Sequence, residues 1–404
     1  MASKWEIVKL GDICDKIGSG ATPKGGKDAY CSKGISLIRS QNVLDFAFSE
    51  DGLAYINDEQ ARKLNNVEVK SGDVLLNITG DSVARACMVE DNYLPARVNQ
   101  HVAIIRGNAE KATSSYLLYF LQMEKPHLLQ LASAGATRNA LTKGMIEQLQ
   151  LVLPPLDEQR RIVGLLDALQ RKIRINNKVN DNLQQQAQAV FSAWLATHAM
   201  AAEEVTLGGI CLKVTDGSHF SPKNEPTAKI PMLSVKDMEE FDFNLTSCKH
   251  ISAEDYQKMV VNDCVPQVDD ILVAKDGSYL KEIFICNEQR ELAILSSIAI
   301  FRPDTSKIYP EILLAFLKSP RVLQEVRDNY VSGSALPRIV LKDFKKLQFL
   351  LPNLAAQCEI APLLASIRSQ IAVNVAENQR LNQLRDTLLP KLMSGEIDVS
   401  SVVI

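Results

Sequence analysis

The chain has 404 residues, 46% apolar and 23% charged, which excludes a disordered chain and, at roughly 150 residues per domain, leaves room for two to three domains. Lys and Arg total 45 against 48 Asp and Glu, a formal charge of -3, so any polyanion site is local and not a global basic field. The longest strongly apolar stretch, around residues 292–301, is well short of the roughly 18 residues of a membrane span, and residues 1–10 have no apolar signal segment.

A soluble, cytoplasmic protein without membrane contact is expected. Eight cysteines (14, 31, 87, 211, 248, 264, 286 and 358) contain no C-x-x-C pair and the five histidines are dispersed, which predicts neither a disulfide framework nor a metal site.

In chain order, Lys9-Leu10-Gly11-Asp12-Ile13-Cys14 opens a region in which runs at 73–78 and 102–106, rich in Val, Ile and Leu and bounded by turn residues, predict strands. Residues 116–131 predict a helix. Pro154-Pro155 closes the region, and a long helix follows with Ile162, Leu166, Leu169, Ile173, Asn176, Asn180, Leu183, Ala187, Val190 and Trp194 at alternating steps of four and three. The whole order then recurs about 197 residues later. Thr206-Leu207-Gly208-Gly209-Ile210-Cys211 answers the opening, 270–274 and 298–301 predict strands, 311–327 predicts a helix, and Pro352-Asn353 leads into a second long helix. Its seam is Ile360, Leu364, Ile367, Ile371, Asn374, Asn378, Leu381, Arg385 and Leu388. The chain is one unit written twice, each copy a compact α+β domain followed by a long helix.

Both seams carry two asparagines at equivalent mid-helix positions. Buried amides are destabilising when unpaired and fix register when paired. We therefore expect the helices to pack antiparallel, Asn176 facing Asn378 and Asn180 facing Asn374 about a pseudo-twofold near residue 178; a solvated break at Asn176-Asn177-Lys178 is the alternative.

Catalytic motifs fail on inspection. Residues 20–28 (GATPKGGKD) lack the Gly and the Ser or Thr that a phosphate loop needs at positions 21 and 28. Asn77-Ile78-Thr79-Gly80-Asp81 and Ala274-Lys275-Asp276-Gly277-Ser278 read as strand-to-turn sequences more readily than as paired acids. His101 and His219 have no Cys or Asp partner at a fixed spacing. What remains is a set of polar and basic loop residues of the types that read duplex DNA: Arg for guanine, Asn and Gln for adenine, small hydroxyls and Gly amides for phosphate. Such residues also populate ordinary loops, and the residue types alone leave both readings open.

The junction Leu153-Pro154-Pro155-Leu156-Asp157-Glu158-Gln159-Arg160-Arg161-Ile162-Val163, the C-terminal Leu384-Arg385-Asp386-Thr387-Leu388-Leu389-Pro390-Lys391-Leu392-Met393-Ser394-Gly395-Glu396-Ile397 and the opening Trp5-Glu6-Ile7-Val8-Lys9-Leu10-Gly11-Asp12 closely resemble conserved segments of the specificity (S) subunits of Type I restriction-modification enzymes. The resemblance spans the chain and its order of segments. The second junction, Leu351-Pro352-Asn353-Leu354-Ala355-Ala356-Gln357-Cys358-Glu359-Ile360, departs from it by lacking the second Pro and the Glu before Gln.

The resemblance implies target recognition domain 1 over 1–152, spacer helix 1 over 153–200, target recognition domain 2 over 201–350, and spacer helix 2 with the tail over 351–404. It implies a non-catalytic subunit in which each domain reads half of a bipartite, asymmetric site on double-stranded DNA. The helices, packed as an antiparallel coiled coil, would set the spacer and dock two methyltransferase (modification) subunits, with restriction subunits added for cleavage. No cofactor is expected in this chain; S-adenosylmethionine belongs to the methyltransferase partners.

By position in the resemblance, the candidates for the first half-site are Ser19, Gly20, Thr22, Lys24, Arg39, Gln41, Asn42, Ser82, Arg85, Gln100, Arg138 and Asn139. Those for the second are Asp216, Ser218, His219, Lys223, Lys236, Lys275, Ser278, Ser297 and Arg338. A methyltransferase-like enzyme, a specificity module of a non-Type I system and a coiled-coil adaptor are the competing readings. Because partners can supply phosphate contacts, the near-neutral charge predicts weak DNA binding by the chain alone.

Overall fold

The computed structural model describes residues 5–23, 25, 29–133, 139–246, 248–277, 280–332 and 338–401. It divides into two compact units, Met1–Lys172 with Arg380–Ile404, and Ile173–Gln379. The cut falls within both long helices, so each unit owns one globular region and one end of each helix.

In the first unit an antiparallel sheet runs in the order Cys14–Ser19, Val102–Gly107, Val74–Asn77, Ala86–Met88. Its central strands are buried on both faces, which explains their nearly unbroken apolar sequence. Side chains alternate across a strand. Val74, Leu76, Ala103 and Ile105 therefore enter a core with the helices, while Leu75, Val102 and Ile104 enter a second core. That second core lies against another sheet, in the order Ala54–Ile56, Ile35–Ile38, Ala96–Val98, Glu68–Val69. Glu6–Lys9 pairs with Gln150–Leu153 and ties the two ends of the globular region together.

The second unit repeats this plan. Its main sheet runs Cys211–Asp216, Ile298–Pro303, Ile271–Ala274, Ile283–Ile285, and Glu203–Thr206 pairs with Gln348–Leu351. Ile271, Val273, Ala299 and Phe301 face one core and Leu272, Ala274, Ile298 and Ile300 the other. Its smaller sheet has three strands, Lys249–Ile251, Ile230–Leu233 and Ala293–Ile294, and a short ladder of Val331–Ser332 with Arg338–Ile339 is added. Both globular regions are α+β domains.

Each helix expected at 116–131 and 311–327 is two helices. Ser114–Met123 is followed by Lys125–Ser133, and Pro310–Leu317 by Pro320–Asn329. The breaks are at proline: Pro126 and Pro320 sit in a first turn, where a missing N–H is harmless, and could not continue the preceding helix. Ser319 caps the last of these, its hydroxyl accepting from Val322 N at 3.4 Å.

The long helices span Leu156–His198 and Leu354–Met393. Despite the altered second junction, both begin in the same way. Gln159, fully buried, accepts from Thr113 N (2.9 Å) and donates to the carbonyls of Lys111 and Pro154 (2.9 Å each). Gln357, also fully buried, accepts from Tyr309 N (3.1 Å) and donates to the carbonyls of Lys307 (3.0 Å) and Pro352 (2.9 Å). The same buried glutamine ties helix to domain at both junctions, so this attachment survives the loss of the second Pro and the Glu.

At 1.5 Å per residue the first helix is about 65 Å long, more than one domain core can cover. Its start, Ile162 and Leu166, packs in the core of the first unit together with Leu389, Leu392 and Met393 from the end of the second helix. Its end, Phe191 and Trp194, packs in the core of the second unit with Ile360 and Leu364. Between these, within the second unit, Asn176 donates to Asn378 (2.8 Å) and Asn374 donates to Asn180 (2.7 Å), all four being buried. Rising numbers on one helix meet falling numbers on the other, so the helices run antiparallel there. In the first unit Arg385 donates to Gln170 at 3.0 Å, with its guanidinium 4.6 Å from the Phe46 ring centroid.

The amide cluster is unequal. Asn378 also donates to Asn177 (2.7 Å), but the residue equivalent to Asn177 in the second helix is Val375, and the buried Nδ2 of Asn180 has no partner.

Candidate nucleic-acid interface

In the first unit, Ser19, the turn Ser40–Asn42, Thr79 and the Asn99–His101 turn all lie at one end of the paired strands, because Ser19 pairs with Ala103 and Asn77 with Val102. An open cleft of about 790 Å³ results, lined by Ser40, Gln41, Thr79, Gly80, Asp81, Ser82, Arg85 and His101. Gln41, Ser82 and Arg85 were expected from sequence. Arg39 and Gln41 both donate to the Gly52 carbonyl, and the Arg39 guanidinium lies 5.9 Å from the Tyr30 ring centroid, with its Nε buried and unpartnered.

Thr22 hydrogen-bonds Gln100, Gln100 contacts His101 at 3.2 Å, and His101 Nδ1 meets Thr79 Oγ1 at 2.6 Å, a polar chain that ends on the cleft wall. Asn139 is exposed and its carbonyl accepts from Gly80 N at 3.2 Å, which brings it to the rim. The side chain of Arg85 has no hydrogen bond or ion pair among the described residues.

Two of the expected residues hold the frame in this unit. Asn42 is fully buried; its Oδ1 accepts from Arg39 N (3.0 Å) and its amide donates to the carbonyls of Ser49 (2.9 Å) and Asp51 (3.2 Å). A Cβ on Gly20 would lie 1.9 Å from the Val98 carbonyl oxygen, so close strand approach demands glycine. Gly217 meets Ile294 O at 2.5 Å in the same way. Lys24, Arg138 and Ser278 lie outside the described residues.

The second unit brings a charged group to the corresponding end. Lys275 is buried, with Nζ 2.8 Å from Asp216 Oδ1 and 3.9 Å from Asp276; Asp216 Oδ2 lies 3.5 Å from His219 Nε2. Ser297 O accepts from Lys275 N (3.0 Å), and Ser297 Oγ accepts from Val235 N (3.0 Å), which sets the exposed Lys236 beside the group.

Ile339 N donates to Lys275 O at 3.0 Å, placing the exposed Arg338 next to it. Ser218 is buried in its own turn. Lys223 is exposed, and no contact among the described residues ties it to the others. Sequence reasoning passed over Thr79, Asp81, Asp276 and His101 as site residues. Their shared signal, polar residues in the turns that flank the central strands of a duplicated frame, was available.

Two ion pairs brace the frames. Arg106 donates to Asp73 (2.7 Å, twice) and Arg302 to Asp270 (2.8 and 2.9 Å), and these paired carboxylates raise both guanidinium pKa values. Burial pushes the equivalent thiols Cys14 and Cys211 up to about 12, which leaves them inert. Among the described residues no group of three or more His, Cys, Asp or Glu is placed to hold a metal ion, and no helix is long and apolar enough to cross a membrane.

The family model of the Type I restriction modification DNA specificity domain matches residues 2–185 and again 201–383. The chain is similar to the Type I restriction enzyme HindI specificity subunit of Haemophilus influenzae, 21% identical over 471 aligned residues that cover 98% of this chain and 100% of that one. It is also similar to the MjaIX specificity subunit of Methanocaldococcus jannaschii, 23% identical over 427 residues, covering 98% and 94%. A crystal structure of a Type I restriction-modification S subunit from M. genitalium aligns over 96% of both chains with a TM-score of 0.49 and 14% identity. Matched to that family in each copy of its repeat, the chain belongs to the specificity (S) subunits of Type I restriction-modification systems, non-catalytic proteins whose role is sequence-specific DNA recognition.

Proposed function

We propose that each globular region is a target recognition domain reading one half of a bipartite, asymmetric site on double-stranded DNA, and that the two long helices, as an antiparallel coiled coil, set the spacer between the halves. The observation that carries this reading is the pair of strand-end clusters. One backbone frame, used twice, presents Thr22, Gln100, His101 and Thr79 in the first copy and Asp216, His219, Lys275 and Asp276 in the second. A duplicated frame with unlike contents reads two different base sequences. Helices of this length exceed the roughly 34 Å of one DNA turn, as a spacer requires.

The helices also leave Ile175, Val179, Leu363 and Val373 exposed, at 50%, 39%, 48% and 59%. These apolar positions supply a docking face for two methyltransferase subunits, which bring S-adenosylmethionine and adenine methylation; restriction subunits add cleavage, and the assembly works in the cytoplasm. Mapping methylated adenines in a cell carrying this gene and its neighbours tests the reading. A split motif with unlike halves is expected, and a continuous palindrome would overturn it.

A further inference from the structure

Phe220 stands apart from every other phenylalanine in the chain. Of the twelve, eleven are buried or half-buried and Phe220 alone is exposed, at 56%. It lies on the loop that leaves the main sheet of the second unit after Asp216, beside the charged group. The equivalent loop of the first unit passes from Gly20 to Pro23-Lys24, whereas the second passes from Gly217 to Pro222-Lys223 and is two residues longer.

The longer loop is fixed at its root. Ser218, buried, donates its backbone N–H to Ile294 O (2.7 Å), accepts from Phe220 N at its hydroxyl (3.1 Å), and donates that hydroxyl to Phe220 O (2.8 Å). The backbone of an exposed aromatic is thus held on both sides by one buried serine, which fixes where the side chain leaves the loop.

We propose that Phe220 makes an apolar contact with the 5-methyl group of a thymine in the major groove of the second half-site. This rests on the reading of the second globular region as a DNA-recognition domain. The ring has no donor or acceptor for polar base edges, and the thymine methyl is the one apolar group the major groove offers. Its neighbours His219, Asp216 and Lys275 are the polar complement that reads adjoining edges. A wedge driven between base pairs would need both ring faces free, and close to half of this side chain is already covered by protein. Any half-site that carries a methylatable adenine also carries a thymine opposite it.

The test uses the full chain assembled with its modification subunits and duplexes of the motif read from the methylation map. Each thymine of the second half-site is replaced in turn by deoxyuridine, which removes the methyl group alone. At one position the wild-type complex should bind about fourfold more weakly, the worth of one buried methyl. Phe220→Ala should bind thymine and deoxyuridine there equally, while Phe220→Leu keeps most of the discrimination.

Indifference of the wild type to every deoxyuridine, or a penalty that persists in Phe220→Ala, would overturn the contact. So would an increase in 2-aminopurine fluorescence in the second half-site that Phe220→Ala abolishes, since that reports unstacking by a wedge. If whole base-pair changes weaken binding while deoxyuridine does not, DNA recognition by this domain stands and only the Phe220 contact falls. If the map contains no second half-site, the recognition reading fails first.

Discussion

Ile78 and Lys275 occupy one position in two copies of a frame. Each donates its backbone N–H to the residue that opens the last central strand, His101 O at 2.9 Å and Ser297 O at 3.0 Å. Each accepts at its carbonyl from the returning chain, Leu141 N at 2.8 Å and Ile339 N at 3.0 Å. Both are buried, 8% and 7% exposed. In the first unit an aliphatic side chain fills the place and the facing strand ends on Ser19. In the second an ammonium fills it and the facing strand ends on Asp216, 2.8 Å away. The two differences compensate: a buried lysine is tolerable where a carboxylate meets it, and that carboxylate is tolerable where the lysine is present. The strand-end surface can therefore change its chemistry while its scaffold stays fixed, provided charges change in pairs.

The largest effect should come where the copies agree. Arg106→Ala and Arg302→Ala each leave a buried carboxylate, Asp73 or Asp270, without its partner, and each should cost about 3 to 5 kcal/mol. Denaturant melts of the two variants should match; a loss in one copy alone would break the equivalence of the frames.

The next effect belongs to the second unit. Burial lowers the Lys318 pKa from 10.5 to about 8, opposed by Glu240, while Nζ donates to Gln184 (2.6 Å) and Gln184 donates to Glu240 (3.1 Å). The equivalent residue in the first unit is the neutral Gln122, bonded to Ala86 O at 2.6 Å. Between pH 8 and 10.5 the unfolded chain holds the Lys318 proton that the folded chain has released, so stability should rise with pH across that window. The full gain is about 3 kcal/mol, and Lys318→Gln should remove the slope while being more stable than wild type at pH 7. A slope unchanged in Lys318→Gln would assign it to another group.

Smaller again is the exchange of one frame's contents for the other's. Lys275→Ile leaves Asp216 with only His219, 3.5 Å away, and should cost about 2 kcal/mol, less than a fully buried carboxylate because Asp216 is partly exposed. Adding Asp216→Ser should recover most of that loss, a coupling that a double-mutant cycle reads directly. Additive losses would mean that the pair does not act as a unit.

The smallest effect should be a gain. Val375→Asn supplies the acceptor that Asn177 provides on the other helix, and satisfying the Asn180 amide should add about 1 kcal/mol. Thermal denaturation of the full chain checks it, and a destabilised variant would show that the orphaned amide is not repaired from that position.

Much of the architecture was legible in the chain before any coordinates. Repeated segments such as Lys9 to Cys14 and Thr206 to Cys211 fix a duplication, the step of four and three fixes two long helices, and short apolar runs fix the central strands. These are local signals, written in spacing that a single helix or strand must satisfy. The helix breaks at Pro126 and Pro320 were also in the sequence, but apolar periodicity carried the expectation across them.

The candidate site was less legible because residue type does not say which way a polar side chain is used. Asn42 and Gln41 are neighbours of similar chemistry, yet Asn42 is spent on backbone groups inside its turn and Gln41 lines the cleft. Gly20 has a packing reason as strong as any ligand, and Ser218 holds a turn.

By itself, then, the sequence determined the repeat, the α+β domains, the two helices and the family to which the chain belongs, since each is carried by periodicity or by contiguous segments. Only the tertiary structure decided that one glutamine fastens each helix to its domain, and which loop residues meet at the strand ends. It also decided that the lysine in the second frame is matched by an aspartate about sixty residues away. Those facts depend on long-range approach, where burial and the need to pair every buried polar group select among residues that look alike along the chain.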